Sequence, residues 1–158
     1  MQFRIGSGID SHKLEKDIPL IIGGVLIPFE KGSKGHSDGD VLFHAIVDAV
    51  LGALALGDIG DYFPSENSKW KGADSKLFME YVCKLIEGKG YSIGNVDITI
   101  ILQKPVLKKY IMNMRSNTAF VLSINLDQIS IKATTTDKLG FIGKGEGIAA
   151  MASILLKQ

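Results

Sequence analysis

The 158-residue chain contains three histidines, His12, His36 and His44, and all fall in two short segments rich in carboxylates. One is Asp10-Ser11-His12. The other runs Gly35-His36-Ser37-Asp38-Gly39-Asp40-Val41-Leu42-Phe43-His44, with Asp48 one turn beyond it. Imidazole together with carboxylate is the ligand set that suits zinc and other divalent ions. Asp10 and His12 stand two apart in a strand-like stretch, so their side chains point the same way. His44 falls one turn inside a helix whose start is marked by Ser37, Asp38, Gly39 and Asp40. Asp10, His12 and His44 are therefore three candidate ligands with a fourth position open, the form of a catalytic rather than a structural zinc centre. Taken singly, His12 reads as a surface residue and His44 as a satisfied core histidine. Taken with Asp10, they read as a metal site.

The elements that must position them follow from the patterning. Phe3 to Ile9 reads as a strand, with Arg4 to Asp10 leading into the site, and Gly6 and Gly8 mark backbone passing close to a ligand. Leu20 to Ile27 is two apolar runs around Gly23-Gly24, a hairpin, and Pro28 to Gly35 is a polar loop. Asp40 to Leu56 reads as a helix stopped at Gly57. It is apolar nearly all round and calls for cover on most sides, part of it from another subunit. Asp40, His44 and Asp48 form its only polar seam, which needs a partner such as a metal. Gly57 to Pro64 reads as a Gly/Asp turn cluster. Ser75 to Glu87 has the helical spacing, with Cys83 off its apolar stripe. Val96 to Leu102 is a strand, Leu107 to Leu122 a helix and Ile129 to Ala133 a strand.

That last strand runs into Thr134-Thr135-Thr136-Asp137 and the glycine-rich Gly140 to Gly147. Hydroxyls, an acid and a glycine turn suit phosphate oxygens, although Lys144 precedes Gly145 rather than the Ser or Thr of a P-loop. Ile148 to Lys157 is Ala-rich and open between helix and strand. Interleaved strands and helices give an α/β or α+β class: a mixed β-sheet with helices packed on one face, plus a small β-hairpin.

Composition narrows the function classes. Lys+Arg is 18 against Asp+Glu 17, so no basic excess argues for nucleic acid. Apolar residues make up 46% and charged residues 22%, ordinary for one globular domain over residues 1–158. The single cysteine excludes an intrachain disulfide and a cysteine zinc cluster. Val41 to Leu56 is too short for a membrane span, and Met1 to Arg4 has no signal-peptide pattern, so a cytoplasmic protein is expected.

Several motifs occur together and in order: Asp10-Ser11-His12; His36-Ser37-Asp38-Gly39-Asp40 with His44; Gly57-Asp58-Ile59-Gly60 with Phe63-Pro64; Lys71-Gly72-Ala73-Asp74-Ser75; Gly94-Asn95-Val96-Asp97; Lys132-Ala133-Thr134-Thr135-Thr136 with Lys138-Leu139-Gly140; and Gly145-Glu146-Gly147. Over nearly its whole length the chain resembles the 2-C-methyl-D-erythritol 2,4-cyclodiphosphate synthases of the non-mevalonate isoprenoid pathway. The resemblance implies a phosphorus–oxygen lyase that closes the cyclodiphosphate ring of 4-diphosphocytidyl-2-C-methyl-D-erythritol 2-phosphate and releases CMP. It also implies a homotrimer with active sites between subunits, and a strand for the last segment.

Carried over residue by residue, it assigns Zn2+ to Asp10, His12 and His44, and Mg2+ or Mn2+ on the diphosphate to Asp137. It gives transition-state support to His36 and Thr135. Asp58, Ile59 and Gly60, with the loop of Phe63, Pro64 and Ser65, would receive the methylerythritol unit. Leu102, Gln103, Lys104, Pro105, Val106, Leu107, Lys108, Thr134 and Thr136 would line a cytidine and phosphate pocket supplied by a neighbouring subunit. Ser37, Phe141 and Lys144 complete the substrate-binding set. Asp137 stands where the family usually has Glu, Ser65 where an acid is common, and Lys144 where Arg is common near the trimer axis. Two other functions would use the same ligands: a small zinc phosphohydrolase and a non-catalytic trimeric metal-binding protein.

Overall fold

A computed structural model describes residues 1–158. The elements in chain order are β1 (Phe3–Lys16), β2 (Leu20–Ile22), β3 (Val25–Ile27), β4 (Lys31–Lys34), α1 (Val41–Ala53), α2 (Ile59–Tyr62), α3 (Lys76–Gly88), β5 (Ser92–Ile101), α4 (Ile111–Leu122), β6 (Ile129–Thr134), α5 (Gly140–Gly143) and β7 (Gly147–Lys157). Five strands form one mixed sheet in the order β4-β1-β7-β5-β6, with only β5 and β6 parallel, while β2 and β3 form a separate hairpin. The expected class is the observed one.

Small residues decide how α1 meets the sheet. On β1 the helix-facing positions are Gly6, Gly8, Asp10, His12 and Leu14, the period of two expected of a strand. A Cβ at Gly6 would stand 1.9 Å from the Ala49 carbonyl oxygen, and one at Gly8 would stand 2.2 Å from that of Ala45. Ala45, Ala49 and Ala53, four apart, thus lie on bare strand backbone. Gly6 and Gly8 serve helix packing, not the close approach of a ligand as their position in a strand suggests. Because Asp10 and His12 continue the same face, they emerge beside the first turn of α1, where His44 stands.

α1 is buried at every position except Asp48 and Gly52, and that cover comes from its own chain. It packs on β1 and β7 beneath and on α3 above. No second subunit is needed to explain its apolar surface, which corrects the expectation drawn from its composition. The opposite face of the sheet is the uncovered one: Ile5 is 76% and Ile9 62% exposed, joined by Phe3 and Met151.

Three further differences have local causes. β1 extends to Lys16 because β4, in the stretch read as a polar loop, pairs with its far end at Lys13 to Lys16. Ile148 to Lys157 lies in β7, hydrogen-bonded to β1 on one edge and β5 on the other. Its alanines Ala150 and Ala152 are buried while Met151 is exposed, so tertiary pairing overrides helix propensity. The turn cluster contains α2, a single helical turn capped by Asp58.

Candidate active site

Asp10 Oδ2, His12 Nε2 and His44 Nδ1 converge on one point. The separations are 2.8 Å from Asp10 to His12, 3.0 Å from Asp10 to His44 and 3.1 Å between the two ring nitrogens. A tetrahedral ion with bonds of about 2.0–2.1 Å needs ligand atoms about 3.3 Å apart, so this triangle is a slightly contracted face of such a site. Two imidazole nitrogens and a carboxylate oxygen meeting in this way is a donor set that fits a divalent ion.

The electrostatics agree. Burial alone would raise the Asp10 carboxyl, but hydrogen bonds from His12 and His44 outweigh it and hold it well below the usual carboxylate range. Burial likewise works to lower the His12 pKa, while the hydrogen bond and charge of Asp10 raise it overall. Each group is arranged to share a positive charge at the centre.

The rest of the polar seam on α1 does other work. Asp40 is the helix N-cap and fully buried. It accepts N–H bonds from Leu42 and Phe43 at 3.2 and 3.1 Å, and from Gly23 and Gly24 of the hairpin turn at 2.9 and 2.6 Å. Burial pushes its carboxyl up to about 6 despite those donors. Asp48 accepts from the Ile59 N–H at 2.8 Å and so ties α1 to the start of α2. Of the three seam residues, only His44 joins the convergent donors.

Several partners of the site were not legible as such in the sequence. His44 Nε2 lies 2.8 Å from Ser75 Oγ and 3.0 Å from Ser37 Oγ, and Ser75 in turn bonds Asp38. Above the triad lies a recess of about 280 Å³ lined by His12, His36, Ser37, His44, Ile59, Gly60, Phe63, Ser65, Trp70 and Phe78. Its apolar wall is an aromatic stack: Phe63 lies on Phe78 at 4.2 Å between centroids, with Trp70 edge-on to Phe63 at 5.1 Å. His36 projects into this recess with Nε2 3.0 Å from the Asn67 carbonyl. Asp58 and Pro64 border this group in sequence, and the Asp58 carboxylate caps α2 by accepting from Gly60 N–H at 2.8 Å.

The phosphate candidates lie elsewhere in the chain. Leu102, Gln103, Pro105, Val106, Leu107, Lys108, Ile111, Ala133, Thr134 and Thr135 line a second recess of about 310 Å³, which shares no residue with the first. Lys104 is in the same loop but does not line it. Asp137 and Lys138 follow in left-handed backbone, at φ of 51° and 67°. Lys138 N–H donates to Gln103 Oε1 at 3.0 Å, which fastens this turn to the second recess. Thr136 Oγ1 donates to the Leu139 carbonyl at 2.7 Å, while Phe141 and Lys144 are exposed on and after α5. The structure thus gathers the site candidates into two groups, one around the triad and one around Thr134 and Thr135.

This fold, with its Asp-His-His group at the start of α1, defines the class: the chain belongs to the YgbB family, which it matches over residues 3–157. Its curated relatives are more particular. It is 57% identical over 153 residues to the 2-C-methyl-D-erythritol 2,4-cyclodiphosphate synthase of Clostridioides difficile, covering 97% of this chain and 95% of the relative. It is 53% identical over 156 residues to that of Bacillus licheniformis, covering 99% of each. Among solved structures, IspF of Plasmodium falciparum in complex with CDP superposes with a TM-score of 0.86 at 42% identity, over 98% of this chain and 95% of that one. The bifunctional IspDF of Campylobacter jejuni gives a TM-score of 0.90 at 42% identity, over 99% of this chain and 42% of that longer protein. No helix of the chain is long and apolar enough to cross a membrane.

Proposed function

We propose that the chain is a 2-C-methyl-D-erythritol 2,4-cyclodiphosphate synthase. The observation that carries this reading is the convergence of Asp10, His12 and His44 in a chain more than half identical to enzymes of that name. In the reaction an oxygen of the substrate's 2-phosphate attacks the β-phosphorus, a new P–O–P bond closes the ring, and the bond from that phosphorus to CMP breaks. CMP leaves with the bridging oxygen. No covalent nucleophile from the protein is required, since the attacking oxygen belongs to the substrate.

Two phosphates of one molecule must meet against like-charge repulsion. A divalent ion held by Asp10, His12 and His44 would supply Lewis-acid neutralisation of that charge. His36, which lines the recess beside the triad, would support the transition state there. Thr135, whose hydroxyl accepts from the Asp137 N–H at 3.3 Å and keeps its own proton free, would offer a donor that gains strength as negative charge builds. Asp137 is the candidate for a Mg2+ or Mn2+ ion on the diphosphate. Phe63, with the α2 start at Asp58, Ile59 and Gly60, would hold the methylerythritol unit and exclude water from it. The Leu102–Lys108 loop would receive the cytidine.

A homotrimer with shared sites brings the two groups of residues together. Its support is the uncovered apolar sheet face at Ile5, Ile9 and Met151, and the separation of the two recesses within one chain. Incubating the protein with substrate and divalent ions, and following phosphorus by NMR, tests the activity. Cyclic diphosphate appearing in step with CMP supports it. Inorganic phosphate in its place would make the protein a phosphohydrolase.

A further inference from the structure

Ser75 sits just before α3, where a serine hydroxyl ordinarily caps the helix by accepting an N–H from its first turn. It makes no such bond. The residue is fully buried, and its hydroxyl is turned the other way, into the metal site. Ser75 Oγ lies 2.8 Å from His44 Nε2 and within hydrogen-bond reach of Asp38 Oδ1, while Ser75 N–H donates to Asp38 Oδ2 at 3.0 Å. Asp38 also accepts the Asp40 N–H at 3.0 Å. The Asp38 carboxylate is thus ringed by donors and only accepts.

The direction of every proton in this chain follows. The Ser75 O–H donates to Asp38, which leaves the Ser75 oxygen as an acceptor for His44. His44 Nε2 therefore carries a ring proton directed away from the triad, and Nδ1, 3.0 Å from Asp10 Oδ2, is the nitrogen turned to the metal site. Ser37 Oγ, 3.0 Å from the same Nε2, offers a second acceptor for that proton. Phe78, three residues into α3, lies against the same ring at 5.9 Å between centroids. The first turn of α3 thereby holds the imidazole by its edge and by its face.

We infer that Ser75, oriented by Asp38, is a positioning residue that fixes the tautomer of His44 and so readies Nδ1 to hold a divalent ion. The inference rests on the metal-site reading above. Outer partners of this kind typically change metal affinity by about 10–100-fold when removed. Asp38 belongs to the same unit: in Asp38→Asn one carboxylate oxygen becomes an N–H donor against the donors around it, and loss of the anion weakens the hold on the hydroxyl proton that keeps the Ser75 oxygen free for His44.

The test uses the full chain and Zn2+ alone, in competition with a chromophoric chelator, beside nitrogen NMR of the histidine rings in the zinc-free protein at pH 8. Ser75→Ala and Asp38→Asn should each weaken zinc binding by about 10–100-fold, and the double variant should be little weaker than either single one because the two act as a unit. In the wild type and Ser75→Thr, His44 Nε2 should be the protonated nitrogen. In the Ala and Asn variants, population should move to the Nδ1-protonated form. Unchanged zinc affinity in both variants, additive losses in the double variant, or a wild-type His44 with its lone pair on Nε2 would overturn the inference. A wild-type chain that takes up no zinc would overturn the metal-site reading instead, while the spectrum still decides the tautomer.

Discussion

Gly8 of β1 and Ala45 of α1 touch backbone to backbone, and that contact sets where Asp10 meets His44. A methyl group at Gly8 would stand 2.2 Å from the Ala45 carbonyl and 2.7 Å from the Ala49 amide, neither of which can rotate away. Gly8→Ala should therefore lift α1 off the strand. Overpacking of this kind costs about 1–3 kcal/mol, and backbone neighbours place it at the upper end. Chemical denaturation should show that loss together with a fall in bound zinc. A variant of unchanged stability and metal content would show that the helix is not held by this contact.

The metal assignment makes a stoichiometric prediction. The purified protein should hold about one tight divalent ion per chain, as a three-ligand catalytic centre does. His44→Ala should lose most of that metal and the activity together, measured by elemental analysis and CMP release. Metal content equal to wild type in this variant would remove His44 from the ligand set.

How much of this was legible in the sequence depends on range. Asp10, His12 and His44 were legible because two share a strand face and the third opens a helix, both short-range patterns. The Asp40 cap was half visible: its carboxylate type fitted a helix start, but its ties to Gly23 and Gly24 appear only once the hairpin folds back. Ser75 looked like a routine helix start, since nothing local shows that its hydroxyl points 31 residues back to His44. Gly6 and Gly8 signalled close approach correctly, but not of what. The apolar character of α1 signalled burial correctly, and the single chain supplies it. The strand at Ile148 to Lys157 came from resemblance to known sequences, because its Ala-rich composition carries no period strong enough to decide.

The second ion offers a clean test at Asp137. Its left-handed backbone, with φ of 51°, is one that Asp and Asn adopt more readily than Glu, which suits the shorter acid at this position. Asp137→Asn keeps the conformation and removes the charge. It should raise the Mg2+ or Mn2+ concentration needed for half-maximal activity while zinc content stays at the wild-type level. Superimposable metal-dependence curves would assign that ion to other groups.

Acid should compete with metal at His12. Its folded pKa is raised above the ordinary 6.5, with burial opposing and Asp10 overcoming it. The sign follows: in the metal-free protein the Asp10–His12 pair contributes stability fully below the unfolded value, and this is lost as pH rises through the raised one. Zinc needs the neutral ring, so its affinity should climb over the same interval, and uptake near neutral pH should release protons. Calorimetry in buffers of different ionisation enthalpy reads that release directly. Zinc uptake without proton release near pH 7 would contradict the raised His12 value.

The account stands most directly on whether the triad of one chain works with the threonines of another. His44→Ala and Thr135→Ala proteins, each inactive alone, are mixed in equal amounts, exchanged by partial denaturation and refolding, and assayed for CMP release. In random mixed trimers about a quarter of the boundaries join an intact triad to an intact Thr135, so about a quarter of wild-type activity should return. Demonstrably mixed trimers with no recovered activity would place both halves of the site within a single chain and contradict the account.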